Sequence, residues 1–298
     1  MGFFDYILYP FGMLMHWIYM LVQNYGLAII LFTFITKAAL LPLNLKQQKS
    51  SAQMNLLKPE MDEIQKKYKD DKEKQGQETM KLYKKYGISP LAGCLPMLIQ
   101  LPIIFLLYQI VTRPMHFILQ MADEAITPIF ESVQSILPEG LTQAAYGAQI
   151  QIAKAAELIN FDFLGLDLSG TPQITSPHLI WIIPALAALT TYISSRMMAA
   201  STPKPAIEAK PSSDRPPRPG EKKQADPANT MKTMNMIMPF VTLWFSFTLP
   251  AGISIYWIAG NLVQMAQQLY VNKVYLPKMR ERVALEHDAT NRRTRKKR

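Results

Sequence analysis

A lysine stands inside an apolar run: Lys37, within residues 25–45 (YGLAIILFTFITKAALLPLNL). As one helix this run is long enough to cross a bilayer. A charge near the membrane centre costs about 2.5 to 3.5 kcal/mol on insertion scales. Snorkelling gives little relief. At about 1.5 Å per residue, Lys37 lies roughly 13 Å from Lys46, the next basic residue. Its Cα–Cβ bond also tilts toward the helix N-terminus, away from that end. The expected chemistry is therefore electrostatic: an ammonium group facing a wet, polar cavity and engaging something negative or strongly polar.

Other chemistry lacks its usual groups. The four histidines (His16, His116, His178, His287) show no metal-ligand spacing, and Cys94 is the lone cysteine. There is no Gly-rich phosphate loop and no nucleophile motif. Residues 25–45, 91–113, 178–198 and 235–272 contain no Asp or Glu. Acid–base catalysis and a carboxylate proton relay inside a membrane thus have no carriers. No enzyme activity and no cofactor are expected. The spans also show no internal repeat of the kind many transporters have.

The elements that must position Lys37 follow from charge segregation. Hydrophobic residues make up 49% of the 298, yet the formal charge is +10. Residues 46–90 carry 11 Lys and Arg, residues 196–232 carry 8 and residues 273–298 carry 10, which is 29 of the 32. By the positive-inside rule these three segments are cytoplasmic, and the N-terminus and the 114–177 loop lie outside. The expected fold class is an all-α, polytopic membrane protein with five spans: 25–45, 91–113, 178–198, 235–249 and 252–272. The 38 apolar residues from 235 to 272 would extend about 57 Å as one helix, nearly twice the hydrocarbon core. Pro250-Ala251-Gly252 splits them into two spans. Residues 1–24, rich in aromatics and free of Lys and Arg, read as an interfacial helix on the outer face, with a sixth span as the competing reading. No basic n-region of a signal peptide and no lipoprotein cysteine are expected there.

Between the first two spans, residues 46–90 read as a cytoplasmic helical hairpin. Its seam is Met54, Leu57, Met61, Ile64 and Tyr68, with Met80 and Tyr83 on the return helix, a turn at Asp70-Asp71-Lys72 and Gly87 as a cap. Residues 199–234, with seven prolines, read as a disordered linker. The tail 273–298 ends in an Arg/Lys cluster that suits anionic lipid headgroups or RNA phosphates equally well, besides marking topology.

Four groups of residues then become familiar. The first is Thr33-Phe34-Ile35-Thr36-Lys37 with Leu41-Pro42-Leu43. The second runs from Gln77-Glu78 through Leu82-Tyr83-Lys84 and Pro90-Leu91-Ala92-Gly93-Cys94-Leu95-Pro96 to Ile99-Gln100-Leu101-Pro102. The third is Phe163-Leu164-Gly165-Leu166-Asp167-Leu168. The fourth is Leu249-Pro250-Ala251-Gly252 with Tyr256-Trp257, Asn261 and Gln267-Gln268. In this order and spacing the chain resembles the YidC family of membrane protein insertases over nearly its whole length. The resemblance implies five spans around a hydrophilic groove, open to the cytoplasm and to lipid but closed outside. It also implies a plasma-membrane protein, N-terminus outside and C-terminus inside, that receives polar parts of nascent membrane proteins without nucleotide. Family members usually carry arginine where this chain has Lys37, so the charge is kept and the planar five-donor fork is lost.

The expected groove is lined by Lys37, Thr33, Gln100, Trp257 and Asn261. Thr33 lies one turn outward of Lys37 on the same face, and Gln100 and Trp257 add polar N–H groups. Expected partners are nascent membrane proteins, the ribosome (through ribosomal RNA and the basic tail), the Sec translocon, targeting factors and anionic lipids. The rival readings are a small channel or transporter with Lys37 as an anion site, and a chaperone for spans that others insert.

Overall fold

The computed structural model describes residues 3–68, 71–87, 95–145, 147–173, 179–199, 227–279 and 281. The Pro-rich segment 200–226, the Arg-rich end of the tail and the motif Pro90 to Cys94 lie outside the described residues.

Among the described residues, twelve α-helices and one β-hairpin follow one another. The first five helices are α1 (Phe3–Val22), α2 (Tyr25–Ala39), α3 (Leu41–Leu56), α4 (Lys58–Lys67) and α5 (Lys72–Lys85). Next come α6 (Leu95–Thr112), α7 (Pro114–Phe117), α8 (Asp123–Val133) and α9 (Ala148–Ala155). The antiparallel hairpin pairs β1 (Asp162–Phe163) with β2 (Leu166–Asp167). A 3-10 turn (Leu179–Trp181) leads into α10 (Ile182–Ala199), followed by α11 (Pro227–Thr248) and α12 (Ala251–Tyr270).

The chain divides into two compact units. The first comprises residues 1–41, 97–194 and 238–264. Its core gathers Met15 from α1, Tyr25 and Ile29 from α2, Leu107 and Ile110 from α6, Ile150 and Ile152 from α9, and Tyr256 from α12, all at 2% exposure or less. Its exterior is apolar as well. Phe34 and Ile35 on α2, Leu101 and Phe105 on α6, Leu186 and Leu189 on α10, Phe240 and Trp244 on α11, and Leu262 on α12 are all exposed. An apolar shell of that extent in water would be an aggregation hazard; against acyl chains it is at ease.

Length and hydropathy alone single out fewer spans than five. Among the described residues, Leu179–Met198 by itself suffices to cross a membrane, and Tyr25–Ala39 with Leu41–Met54 qualifies as a broken pair. Leu8–Val22, Gln100–Thr112 and Met236–Thr248 are shorter apolar helices. The last helix fails the same test on composition, because α12 carries Ser254, Asn261, Gln264, Gln267 and Gln268.

Residues 25–45 do not form the single helix expected. α2 ends at Ala39, with Leu40 as its cap, and α3 begins at Leu41. Pro42 supplies a reason: it has no N–H to donate to the Ala38 carbonyl, so a helix continued through it would lose that bond. In the first turn of α3 that missing donor is harmless.

Close packing inside the first unit relies on two glycines. A Cβ on Gly26 would lie 2.5 Å from Phe163 Cγ and 2.8 Å from Leu168 Cδ1. One on Gly252 would lie 2.9 Å from Ile29 Cδ1 and 3.0 Å from Tyr25 Cε1. Small residues at such contacts let helices associate where burial from water is not available to drive them.

The second unit holds residues 42–96, 195–237 and 265–298. Here Met54, Leu57, Met61, Leu82 and Tyr83 form a small core with Ile64 and Tyr86 against it. The return helix therefore buries Leu82 beside Tyr83, whereas Met80, expected in the seam, is 43% exposed. Asp71 caps α5 by accepting from Lys74 N at 3.0 Å. Gly87 follows the cap at φ +64°, a conformation that favours glycine.

Candidate functional site

Tyr25 pins the N-terminal end of α2. Its backbone N–H donates to Asn160 O at 2.9 Å, its hydroxyl to Val111 O at 3.1 Å, and its ring packs on Phe161 at 4.8 Å between centroids. Asn24 caps the same helix through Leu27 N and donates to Asp162 O at 2.6 Å. The Ala251 N–H in turn donates to Gly170 O at 3.2 Å. The segment around the hairpin is thus hydrogen-bonded to the first turns of both α2 and α12.

About three turns down α2, Lys37 occupies the last turn rather than mid-helix. The carbonyl end of the helix dipole favours a cation there by about 0.3–1 kcal/mol at exposed sites. Its side chain is half-buried. Lys37 Nζ donates to Gln100 Oε1 at 3.5 Å, a long contact, and Gln100 Nε2 donates to Tyr256 Oη at 3.2 Å. One amide therefore joins α2 to α12 through α6. Among the described residues, none of the ion pairs includes Lys37. The ammonium keeps donor capacity directed at no acidic group among the described residues.

Gly260 sits one turn beyond Tyr256, on the same face of α12. A Cβ there would lie 3.5 Å from Lys37 Cε and 3.9 Å from Nζ. The glycine leaves open the space beside the charge.

The other expected lining residues are placed differently. Thr33 is fully buried, with its hydroxyl donating back to Ile29 O at 2.7 Å, so it satisfies its own helix. Asn261 points its amide at α10, donating to Thr190 Oγ1 at 3.1 Å and Thr191 Oγ1 at 2.8 Å. Trp257 packs against the core edge, its ring 6.3 Å from that of Phe245. Tyr256 and Gly260, not among the expected lining residues, stand next to Gln100 and Lys37. Their four-residue spacing was the available signal, but the rotational setting of α12 is not written in a single helix.

A second polar cluster, not anticipated from sequence, belongs to the second unit. Gln48 Nε2 donates to Gln267 Oε1 at 3.0 Å, and Gln268 Nε2 to Asn272 Oδ1 at 2.8 Å. All three glutamines are buried, and Gln47 beside them is 6% exposed. Immediately after them a π-helical turn, Val271–Tyr275, brings the Tyr275 hydroxyl to Gln53 Nε2 at 2.7 Å. Single π-turns of this kind recur at functional positions.

This arrangement offers a half-buried cation and amide groups inside an apolar shell, the chemistry of polar-group capture. Among the described residues, no cluster of three or more His, Cys, Asp or Glu suits a metal ion.

Known proteins are similar to this chain. The family model described as 60Kd inner membrane protein matches residues 17–279. The membrane protein insertase YidC of Clostridium perfringens is 34% identical over 254 residues, spanning 85% of this chain and 80% of that one. Membrane protein insertase YidC 2 of Bacillus anthracis is 31% identical over 272 residues, spanning 90% and 80%. A crystal structure of an active YidC insertase with its first transmembrane domain resolved is similar in fold, with a TM-score of 0.50 and 23% identity. It covers 91% of this chain but 47% of its own, so this chain spans about half the length of that protein. The chain therefore belongs to the YidC family of membrane protein insertases.

Proposed function

We propose that this protein is a membrane protein insertase of the bacterial plasma membrane. In this reading α2, α6, α10, α11 and α12 are five spans, with the N-terminus outside and the C-terminus in the cytoplasm, and α1 lies in the outer interface. Lys37, Gln100 and Tyr256 line a groove that is open to the cytoplasm and closed outside. Thr33 supports the wall above it, and Asn261 and Trp257 hold α12 in place beside it. The observation that carries the reading is the Lys37–Gln100–Tyr256 hydrogen-bond chain, whose cation has no acidic partner among the described residues.

A polar tail of a nascent membrane protein enters the groove and exchanges water for these amide, hydroxyl and ammonium groups. The hydrocarbon thickness it must cross is thereby reduced. Meanwhile the apolar segment of the same client slides along the exposed apolar shell into lipid. Its transfer yields about 0.8 kcal/mol per buried methylene, enough to drive insertion without nucleotide. The packing of Tyr25, Phe161, Phe163 and Leu168 supports closure on the outer side. Ribosome, Sec translocon, targeting-factor and anionic-lipid contacts belong to this reading as expectations.

The test is reconstitution in liposomes with a single-span client bearing an acidic outer tail. Lys37→Ala abolishes insertion and Lys37→Arg retains it. Insertion unchanged by Lys37→Ala would sink the reading. A cation without an acidic partner among the described residues also suits an anion-conducting site; Lys37-dependent anion flux without insertion would select that function instead.

A further inference from the structure

Leu164 stands at the tip of the β1–β2 hairpin with 86% of its surface exposed, the highest among the exposed large apolar side chains described. Its φ is +55° and that of Gly165 is +76°, so both turn residues are left-handed. Turns of this kind favour Asn or Asp before the glycine. A leucine there suits neither the backbone nor water.

What surrounds the hairpin indicates what suits it. β2 packs beside the 3-10 turn Leu179–Trp181 at the head of α10. In that turn Leu179 is 83% exposed, and Trp181 donates its indole N–H to Gln173 O at 2.9 Å. Such an amphipathic ring is at home at the membrane–water interface. The exposed apolar surface continues from this turn down α10 through Ile182, Leu186 and Leu189. Charge is confined to the base of the hairpin, where Asp162 faces Asp167 and Lys154 pairs with Asp167. At about 3.3 Å per residue the leucine reaches roughly 7 Å beyond that carboxylate pair. Interfacial elements typically bury about 5–10 Å at the headgroup–acyl boundary.

We propose that the hairpin is a lipid wedge. Leu164, with Leu179 beside it, enters the outer leaflet, while the Asp162–Asp167 base stays at headgroup level. The wedge holds the outer segment at a set depth against the first turns of α2 and α10. The inference rests on the reading of α10 as a membrane span.

The test places a single NBD-labelled cysteine at position 164, 189 or 139 of the full-length chain carrying Cys94→Ser, in phosphatidylcholine–phosphatidylglycerol vesicles. Position 189 reports the span, and Glu139, exposed in the outer loop, reports water. Lipids carrying a nitroxide high on the acyl chain should roughly halve emission at 164 and 189 but not at 139. Aqueous iodide should quench 139 alone. Iodide quenching at 164 with lipid quenching at 189 overturns the wedge and leaves the span reading intact. Protection of 164 from both quenchers also overturns it, since protein would then cover the tip. Failure of lipid to quench 189 removes the span reading and the wedge together.

Discussion

Gly260 lies against the end of the Lys37 side chain, where an added Cβ would be 3.5 Å from Cε and 3.9 Å from Nζ. Those are ordinary contact distances, so Gly260→Ala should fold and insert clients much as the parent does. Gly260→Leu would fill the space beside the ammonium. It should reduce client insertion at least as much as Lys37→Ala, with a smaller loss of melting temperature in detergent than of activity. A bulky residue at 260 that leaves liposome insertion at the parental yield would show the space to be idle.

The Gln100–Tyr256 hydrogen bond should be measurable as a coupling. Tyr256→Phe removes the acceptor and leaves the Gln100 N–H unpaired in a half-buried site, a loss of about 1–3 kcal/mol. Gln100→Leu removes the other partner. Because each substitution destroys the same bond, the double variant should fall short of the sum by at least about 0.5 kcal/mol. Reversible unfolding in mixed micelles gives the cycle, and strict additivity would argue against the bond.

Gln48 and Gln267 lend themselves to a sharper comparison. Among the described residues, Gln48 Oε1 and Gln267 Nε2 are buried without a partner even though the two side chains bond each other. Changing one to leucine strands the other amide and should cost about 1–3 kcal/mol, whereas changing both is expected to be nearly neutral. Thermal melting of the three variants decides it. If the double variant is inactive despite parental stability, the amides act on the client rather than on the fold.

Acid should loosen the base of the β1–β2 hairpin. Burial would raise the Asp167 carboxyl, but hydrogen bonds from Lys154 and Ser169 outweigh it and hold the group below its ordinary 3.8. A depressed folded value means that the stabilisation is present above the unfolded value and is lost as pH falls through the folded one. Hydrogen-exchange protection of Leu168 and Gly165 should be flat through neutral pH and decline below about pH 4. Lys154→Ala should shrink that decline without erasing it, because Ser169 N still donates to Asp167 Oδ1 at 2.9 Å. The pair is about half exposed, so its contribution is small and salt-sensitive.

Several properties were legible residue by residue. Charge and hydropathy are one-dimensional, so the segregation of 29 cations into three segments, the lone cation at Lys37 and the absence of acidic groups around it needed no coordinates. Gln100 was also nameable, as one of two glutamines in a mostly apolar helix that has no Asp or Glu. The turn at Asp71 and the helix stop at Gly87 followed from local backbone chemistry, which depends on near neighbours in sequence, whereas the cap that Asp71 makes to Lys74 N did not.

Tertiary structure decided where helices stop and which way they turn. Pro42 was visible, yet whether residues 25–45 bend around it or break depends on what packs on either side. The break after Ala39 moves Lys37 from mid-helix to a helix end. Likewise α12 presents Tyr256 and Gly260 to Lys37, and Asn261 to Thr190 and Thr191, because its rotation is set by the close approach of Gly252 to Tyr25 and Ile29. A helix with polar groups on several faces has no single preferred orientation in its own sequence. Only its neighbours, by accepting some of those groups and excluding others, select one.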